Sequence, residues 1–130
     1  MIKKISSWVL VFLWSALIFY LSNIPYLRIE QLGFWDFVLR KIAHITEYAV
    51  LCILYIRAFK NTTKLADTKV YLLSVVFSII YAITDEIHQS FVPGRSCNFF
   101  DLLFDTTGVV LGRVIYKKYK KILKLNTEFL

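Results

Sequence analysis

Fifteen consecutive residues, Val70 to Thr84, carry no charge, and the chain then sets Asp85, Glu86, His88, Gln89 and Arg95 within the next eleven positions. A run of that length and polarity suits the interior of a membrane. Ionisable groups at its end demand partners or a use, because unpaired charge in an apolar medium is strongly unfavourable. Taken through residue 91, this run is one of four windows long and apolar enough to span, the others being residues 5–21, 42–59 and 99–116. Each approaches the roughly 20 residues an α-helix needs to cross about 30 Å of hydrocarbon. With 58% hydrophobic and 17% aromatic residues and a mean hydropathy of +0.59, the 130-residue chain is not composed like a soluble domain. The expectation is one all-α domain over residues 1–130, an integral-membrane four-helix bundle.

The basic residues orient it. Lys3 and Lys4 precede the first window, Arg57, Lys60, Lys64 and Lys69 flank the second connection, and Arg113, Lys117, Lys118, Lys120, Lys121 and Lys124 close the chain. The opposite side holds only Arg28, Arg40, Lys41 and Arg95, and most of the acidic residues; Asp67 and Glu128 are the exceptions. By the positive-inside rule both termini are cytoplasmic. The net charge of +7 is then a topology signal, and a nucleic-acid partner is not expected. Lys3 and Lys4 before an apolar run also fit a signal peptide, but no small-x-small cleavage site follows, so the first window reads as a retained helix. Cys52, mid-helix, and Cys97, in the last outer connection, differ in depth, and no disulfide between them is expected.

Helical spacing sorts the polar residues onto faces. The first helix, with Trp8, Trp14, Phe19 and Tyr20, reads as a packing or lipid-facing element, ended by Ser22, Asn23 and Pro25. Gly33 to Asp36 reads as a loop along the outer interface, where aromatic rings such as Phe34 and Trp35 are at home. The second helix is expected to begin near Arg40, and Lys41, His44, Glu47, Tyr48 and Leu51 recur on it at spacings of three and four, forming one stripe that must face protein. On the third helix Asp85, His88 and Gln89 fall within about 100° of one another, with Glu86 at the edge. Pro93-Gly94 turns the chain and leaves Arg95 at the mouth. On the fourth helix, capped by Ser96 or Asn98, Asp101, Asp105, Gly108 and Gly112 keep within about 60°. Gly108-Val109-Val110-Leu111-Gly112 is a GxxxG seam for close helix approach, either inside one chain or between two copies in a homo-oligomer.

The second and fourth helices start, and the third ends, on the same outer side, so these residues converge at one depth of the outer leaflet. With Arg40 included, three basic residues face five acidic ones. Either His44 and His88 are protonated, or carboxylates share protons, or a divalent cation such as Mg²⁺ or Ca²⁺ sits among them. The spacings match no zinc motif.

Three stretches carry a resemblance: Lys41-x-x-His44-x-x-x-Tyr48, Asp85-Glu86-x-x-Gln89-x-Phe91-x-Pro93-x-Arg95 and Asp101-x-x-x-Asp105-x-x-Gly108. Together they resemble the VanZ-like membrane proteins, named for teicoplanin resistance. Phe19-Tyr20-Leu21-Ser22 is similar to the family's Phe-x-x-Ser-Ser, with Asn23 in place of the second Ser. Asp105 stands where many members have Asn, and His88 is not a family-wide position. The resemblance implies a multi-pass plasma-membrane protein of a Gram-positive-type bacterium, associated with lowered susceptibility to lipoglycopeptides, and it brings no settled reaction.

Two functions follow from the residues. In the first, the pocket binds membrane lipid, an anionic lipid-linked cell-wall precursor or a glycopeptide antibiotic, with Lys41, Tyr48, Gln89, Arg95, Asp101 and Asp105 as ligand contacts and the Arg fork meeting phosphate or carboxylate. In the second, an intramembrane hydrolase or transferase acts on a lipid-linked phosphate or glycolipid, with His44, Glu47, Asp85, Glu86 and His88 as catalytic groups. A proton conduit is disfavoured, because the cytoplasmic halves of the helices supply no titratable relay.

Overall fold

The computed structural model describes residues 2–26, 29–95 and 98–128. Arg28, Ser96 and Cys97, used above for the charge balance, a helix cap and the second cysteine, lie outside the described residues. The described residues form four helices, α1 (Ile2–Ser22), α2 (Phe34–Thr62), α3 (Asp67–Gln89) and α4 (Phe99–Glu128), with a 3-10 turn at Glu30–Leu32 before α2. The expected windows fall on these helices, except that α3 stops at Gln89, two residues before the window's end at 91, and α2 and α4 run well beyond theirs. α2 starts at Phe34, where an interfacial loop was expected. Gly33, at φ +50°, reverses the chain out of the 3-10 turn, a conformation glycine adopts at little cost. Asp36, in the first turn and buried, then ties the new helix down: its Oδ1 accepts the Ile29 N–H at 3.1 Å and its Oδ2 pairs with Arg40 Nε at 3.0 Å. At the other end of the chain α4 continues past residue 116 to Glu128, since Lys, Leu and Tyr sustain a helix once it is started.

Cross-helix contacts fix the directions. Asn61 donates to Ser7 at 2.6 Å and Trp14 Nε1 donates to the Glu47 carbonyl at 2.9 Å, so α1 runs antiparallel to α2. Tyr48 meets Asp85 and Lys60 meets Asp67, so α3 is antiparallel to α2 as well. α4 runs parallel to α2, with Lys41 against Asp101 and His44 against Asp105. α2 is thus the central element, touching the other three, and its most extensive partner is α4. The core sits along it: Tyr48, Leu51, Cys52, Ile56 and Ala58 are fully buried, packed on Ile18 of α1, Val70 and Ala82 of α3 and Val109 of α4.

Among the described residues, three helices are long and apolar enough to cross a membrane, over Lys4–Ser22, Phe34–Thr62 and Asp67–Gln89. The fourth expected span, on α4, falls short, because Asp101, Asp105 and Arg113 interrupt its apolar stretch. The outward faces of the other helices carry Phe12, Leu13 and Phe19 on α1 and Leu72, Ile80 and Ile83 on α3, all exposed. A contiguous apolar exterior of this kind is a liability in water and the natural surface in hydrocarbon. At the end where α2 stops and α3 starts, Asp67 joins Lys60 at 2.9 Å and Lys120 at 2.8 Å.

Candidate functional site

At the opposite end, where α1 and α3 finish and α2 and α4 begin, the polar residues gather. What permits the gathering is the GxxxG seam. A Cβ added to Gly108 would run into the carbonyl of Ile45, and one added to Gly112 into the carbonyl of Ala49. Both glycines are buried. The seam therefore joins α4 to α2 within one chain, and the close approach it allows brings side chains one and two turns above it into register. Lys41 and Asp101 form an ion pair, flanked by the rings of Phe37 and Phe104 at 5.2 and 5.3 Å from the ammonium. One turn deeper, His44 Nδ1 and Asp105 Oδ1 share a hydrogen bond at 2.9 Å, and Asp105 is completely buried.

A second group centres on Asp85. Its Oδ2 accepts from Ser22 at 2.9 Å, from Tyr48 at 3.1 Å and from Gln89 at 2.9 Å. Gln89 also donates to Ser22 at 3.2 Å, so the ends of α1 and α3 and the middle of α2 share one network. Arg95 closes it from the loop: Nη1 donates to Gln89 Oε1 at 3.2 Å, Nη2 to the Leu21 carbonyl at 2.8 Å and Nε to the Ile24 carbonyl at 3.2 Å. The last carbonyls of a helix have no partner inside it, and a guanidinium there is favoured by the helix dipole as well. Arg95 thus caps α1 while standing at the rim of the polar cluster. The turn that delivers it is held by Tyr26, at φ +51°, whose N–H donates to the Pro93 carbonyl at 3.2 Å.

Three buried carboxylates each keep one oxygen without a partner: Asp85 Oδ1, Glu86 Oε1 and Asp105 Oδ2. The other oxygen of Glu86 accepts the Asn98 N–H at 3.4 Å. Donor atoms of His44, Glu86 and Asp105 lie within 4.8 Å of one another, contributed by α2, α3 and α4. Beside them two cavities open. One of about 210 Å³ is lined by Leu21, Ser22, Arg40, Ala43, His44, Glu47 and Arg95. The other, about 460 Å³, is lined by Phe37, Arg40, Lys41, Asn98, Phe100, Asp101 and Phe104. Arg40 borders both.

The residues singled out from sequence are therefore mostly together. Lys41 pairs with Asp101 and His44 with Asp105, Tyr48, Gln89 and Arg95 join the Asp85 network, Glu86 lies beside His44 and Asp105, and Glu47 reaches the smaller cavity. His88 does not join them: it stacks on Phe19 of α1, ring centroids 4.5 Å apart. The sequence reading missed Ser22 as a ligand of Asp85 and Asn98 as a donor to Glu86. Ser22 had a signal, since it stands in the Phe19-x-x-Ser22 stretch. Arg40, expected with Lys41 and Arg95 to meet a phosphate or carboxylate, does border both cavities.

An all-helical bundle with three helices of membrane-spanning length and apolarity, holding buried carboxylates beside a half-buried imidazole and guanidinium at one end, has the make-up of a helical membrane protein with a polar cluster. The model of the VanZ/LLP1 family matches residues 5–124, and the chain belongs to that family. No curated protein and no solved structure matches it.

Proposed function

We propose that the chain is a single multi-pass domain over residues 1–130 in a bacterial plasma membrane, in which α4 crosses alongside α2 with Asp101 and Asp105 paired to Lys41 and His44, so that both termini are cytoplasmic and the polar cluster lies in the outer leaflet. There it holds the anionic headgroup of a lipid-linked envelope component and thereby lowers susceptibility to lipoglycopeptides of the teicoplanin type. The observation that carries this reading is the convergence of Arg40 and Arg95 with His44 on one cavity. Guanidinium pairs grip phosphate and carboxylate through charge-assisted, often bidentate bonds. Arg40 is the freer of the two: among the described residues only Asp36 engages it, whereas Arg95 holds three acceptors. The adjoining cavity adds Phe37, Phe100 and Phe104, rings that suit a lipid chain leaving the headgroup. Lys41 and Asp101, already paired, set the rim.

The test uses a polyprenyl phosphate in lipid nanodiscs, read by the fluorescence of the native tryptophans. Arg40→Gln should weaken binding roughly tenfold, the loss of one charge-assisted pair, and the uncharged prenol should bind far less than the phosphate. Equal affinity for prenol and phosphate would sink the headgroup reading. A glycopeptide antibiotic offered in the same assay reports whether the drug itself is the ligand.

One observation favours a second reading, a hydrolase or transferase acting on the same lipid phosphate. His44 is oriented by a fully buried Asp105 and lines the cavity, the arrangement by which a carboxylate fixes an imidazole for acid/base work. Turnover of the lipid phosphate, abolished by His44→Gln, would select it; binding without turnover, with and without divalent ions, would reject it.

A further inference from the structure

We infer that His44, Glu86 and Asp105 bind one divalent transition-metal ion of the Zn²⁺ or Mn²⁺ kind. Three helices bring one imidazole and two carboxylates together with donor atoms within 4.8 Å of one another, and the sequence separations hide this, since no two of the three share a helix. A cluster of acids alone would carry little weight. The independent observation is that Asp105 and Glu86 are 0% and 3% exposed and that each keeps an oxygen with no partner. A buried carboxylate oxygen left unsatisfied is strongly unfavourable, and two at once beside an imidazole are the arrangement a cation resolves. Asp85 also has a free oxygen, but three donors already neutralise its other one and it is not one of the three.

The geometry suits a small ion. Ligand atoms about 2.1 Å from a tetrahedral ion stand about 3.4 Å apart, so neighbouring donors must come nearly into contact. His44 Nδ1 and Asp105 Oδ1 stand 2.9 Å apart. The proton that bridges them without metal is replaced by the ion when it binds, as ligand deprotonation requires. The donor atoms of the three residues lie within 4.8 Å of one another, so the set closes around the ion on binding. One nitrogen with two carboxylates selects the ion class: imidazole favours Zn²⁺ and other first-row ions, carboxylate favours Mg²⁺, Ca²⁺ and Mn²⁺, and the mixed set points to Zn²⁺ or Mn²⁺ over Mg²⁺ or Ca²⁺. The inference stands on donor geometry and does not need the headgroup reading.

The experiment uses the full chain in detergent micelles, purified by a tag without histidine, stripped with chelator, offered Zn²⁺ or Mn²⁺ alone and desalted. Wild type should retain about one ion per chain. Glu86→Gln and Asp105→Asn, which keep shape and hydrogen bonding, should each lower retention roughly tenfold or more, with helicity checked by circular dichroism. Because Asp105 also bonds His44, so that its variant alters two of the three ligands at once, Glu86→Gln is the deciding one. With Mn²⁺ bound, pulsed electron paramagnetic resonance should show coupling to one nitrogen that His44→Gln removes. Wild type that keeps no stoichiometric ion overturns the inference, as does a folded Glu86→Gln that keeps as much as wild type. Displacement of Zn²⁺ by equal Mg²⁺ or Ca²⁺ overturns the choice of ion. None of these failures touches the binding of polyprenyl phosphate, which is read separately.

Discussion

Gly108→Ala tests how the polar end of the bundle is held together. The added methyl would stand on the Ile45 carbonyl, with the carbonyl carbon and Cα also at only 3.0 Å. These are backbone atoms of a helix, so no side chain can swing aside and α4 must retreat from α2 by roughly 1 Å. Overpacking of this kind costs about 1–3 kcal/mol. Retreat also stretches the 2.9 Å His44–Asp105 bond and the Lys41–Asp101 pair, each worth about 0.6 kcal/mol within a membrane. Alanine returns about 1 kcal/mol of helix propensity over glycine. The sum is a loss of about 1–3 kcal/mol. Gly112→Ala, against Ala49 one turn further on, should behave alike, and the double variant should lose less than both singles added, because a retreat already made relieves the second clash. The assay is reversible unfolding in mixed micelles by sodium dodecyl sulfate, followed by circular dichroism, with chain association measured in parallel by light scattering. Wild-type stability in Gly108→Ala would refute the intrachain seam. So would a wild-type dimer that Gly108→Ala converts to an equally folded monomer.

Asp85→Ala strands the donors of Ser22, Tyr48 and Gln89 in a buried site and should cost about 2–4 kcal/mol in the same unfolding assay, against about 1 kcal/mol for Tyr48→Phe, which removes one donor. Arg95→Lys keeps the charge but cannot reach the Leu21, Ile24 and Gln89 acceptors together; a loss of about 1–2 kcal/mol is expected, and an unchanged midpoint would show that the cap contributes nothing. Asp67→Asn removes two ion pairs on a side chain that is 54% exposed, and the midpoint should move by less than about 1 kcal/mol. For topology, a membrane-impermeant maleimide applied to intact cells should label Cys97 and leave Cys52, buried in α2, unlabelled; labelling only after lysis would reverse the assigned orientation.

Periodicity made the helices legible because a span must satisfy its backbone within itself, so an apolar run of this length has few alternatives to a helix. It placed Asp101, Asp105, Gly108 and Gly112 on one face, and that face does pack on α2. What it could not reach depends on contacts across the bundle. The start of α2 was set by Asp36 bonding back to Ile29 and forward to Arg40, a tertiary arrangement with no signature in the run of aromatics around it. His88 shares a helical sector with Asp85, yet a sector of about 100° is wide enough to face two neighbours, and its ring turned to Phe19. Arg95 read as a ligand contact at the mouth because the Leu21 and Ile24 carbonyls that it meets at and just after the end of α1 are backbone groups, invisible in a list of side chains.

The polar cluster divides by how well its members are satisfied. Asp85 gathers three donors from three helices, and Arg95 ties that network to the end of α1; the Asp85 carboxylate oxygen so engaged orders the helices around it and has little capacity left for a ligand. Asp105 and Glu86 have the opposite balance, each with an oxygen facing no donor, a few ångströms from His44 and next to the cavity that Arg40 and Arg95 line. Stability alone gives no reason to keep them, since a neutral Asn at 105 would pair with His44 and leave less charge buried. The energy withheld there is available to whatever binds, and so the groups that loosen the fold least when altered are the ones whose alteration should change function most.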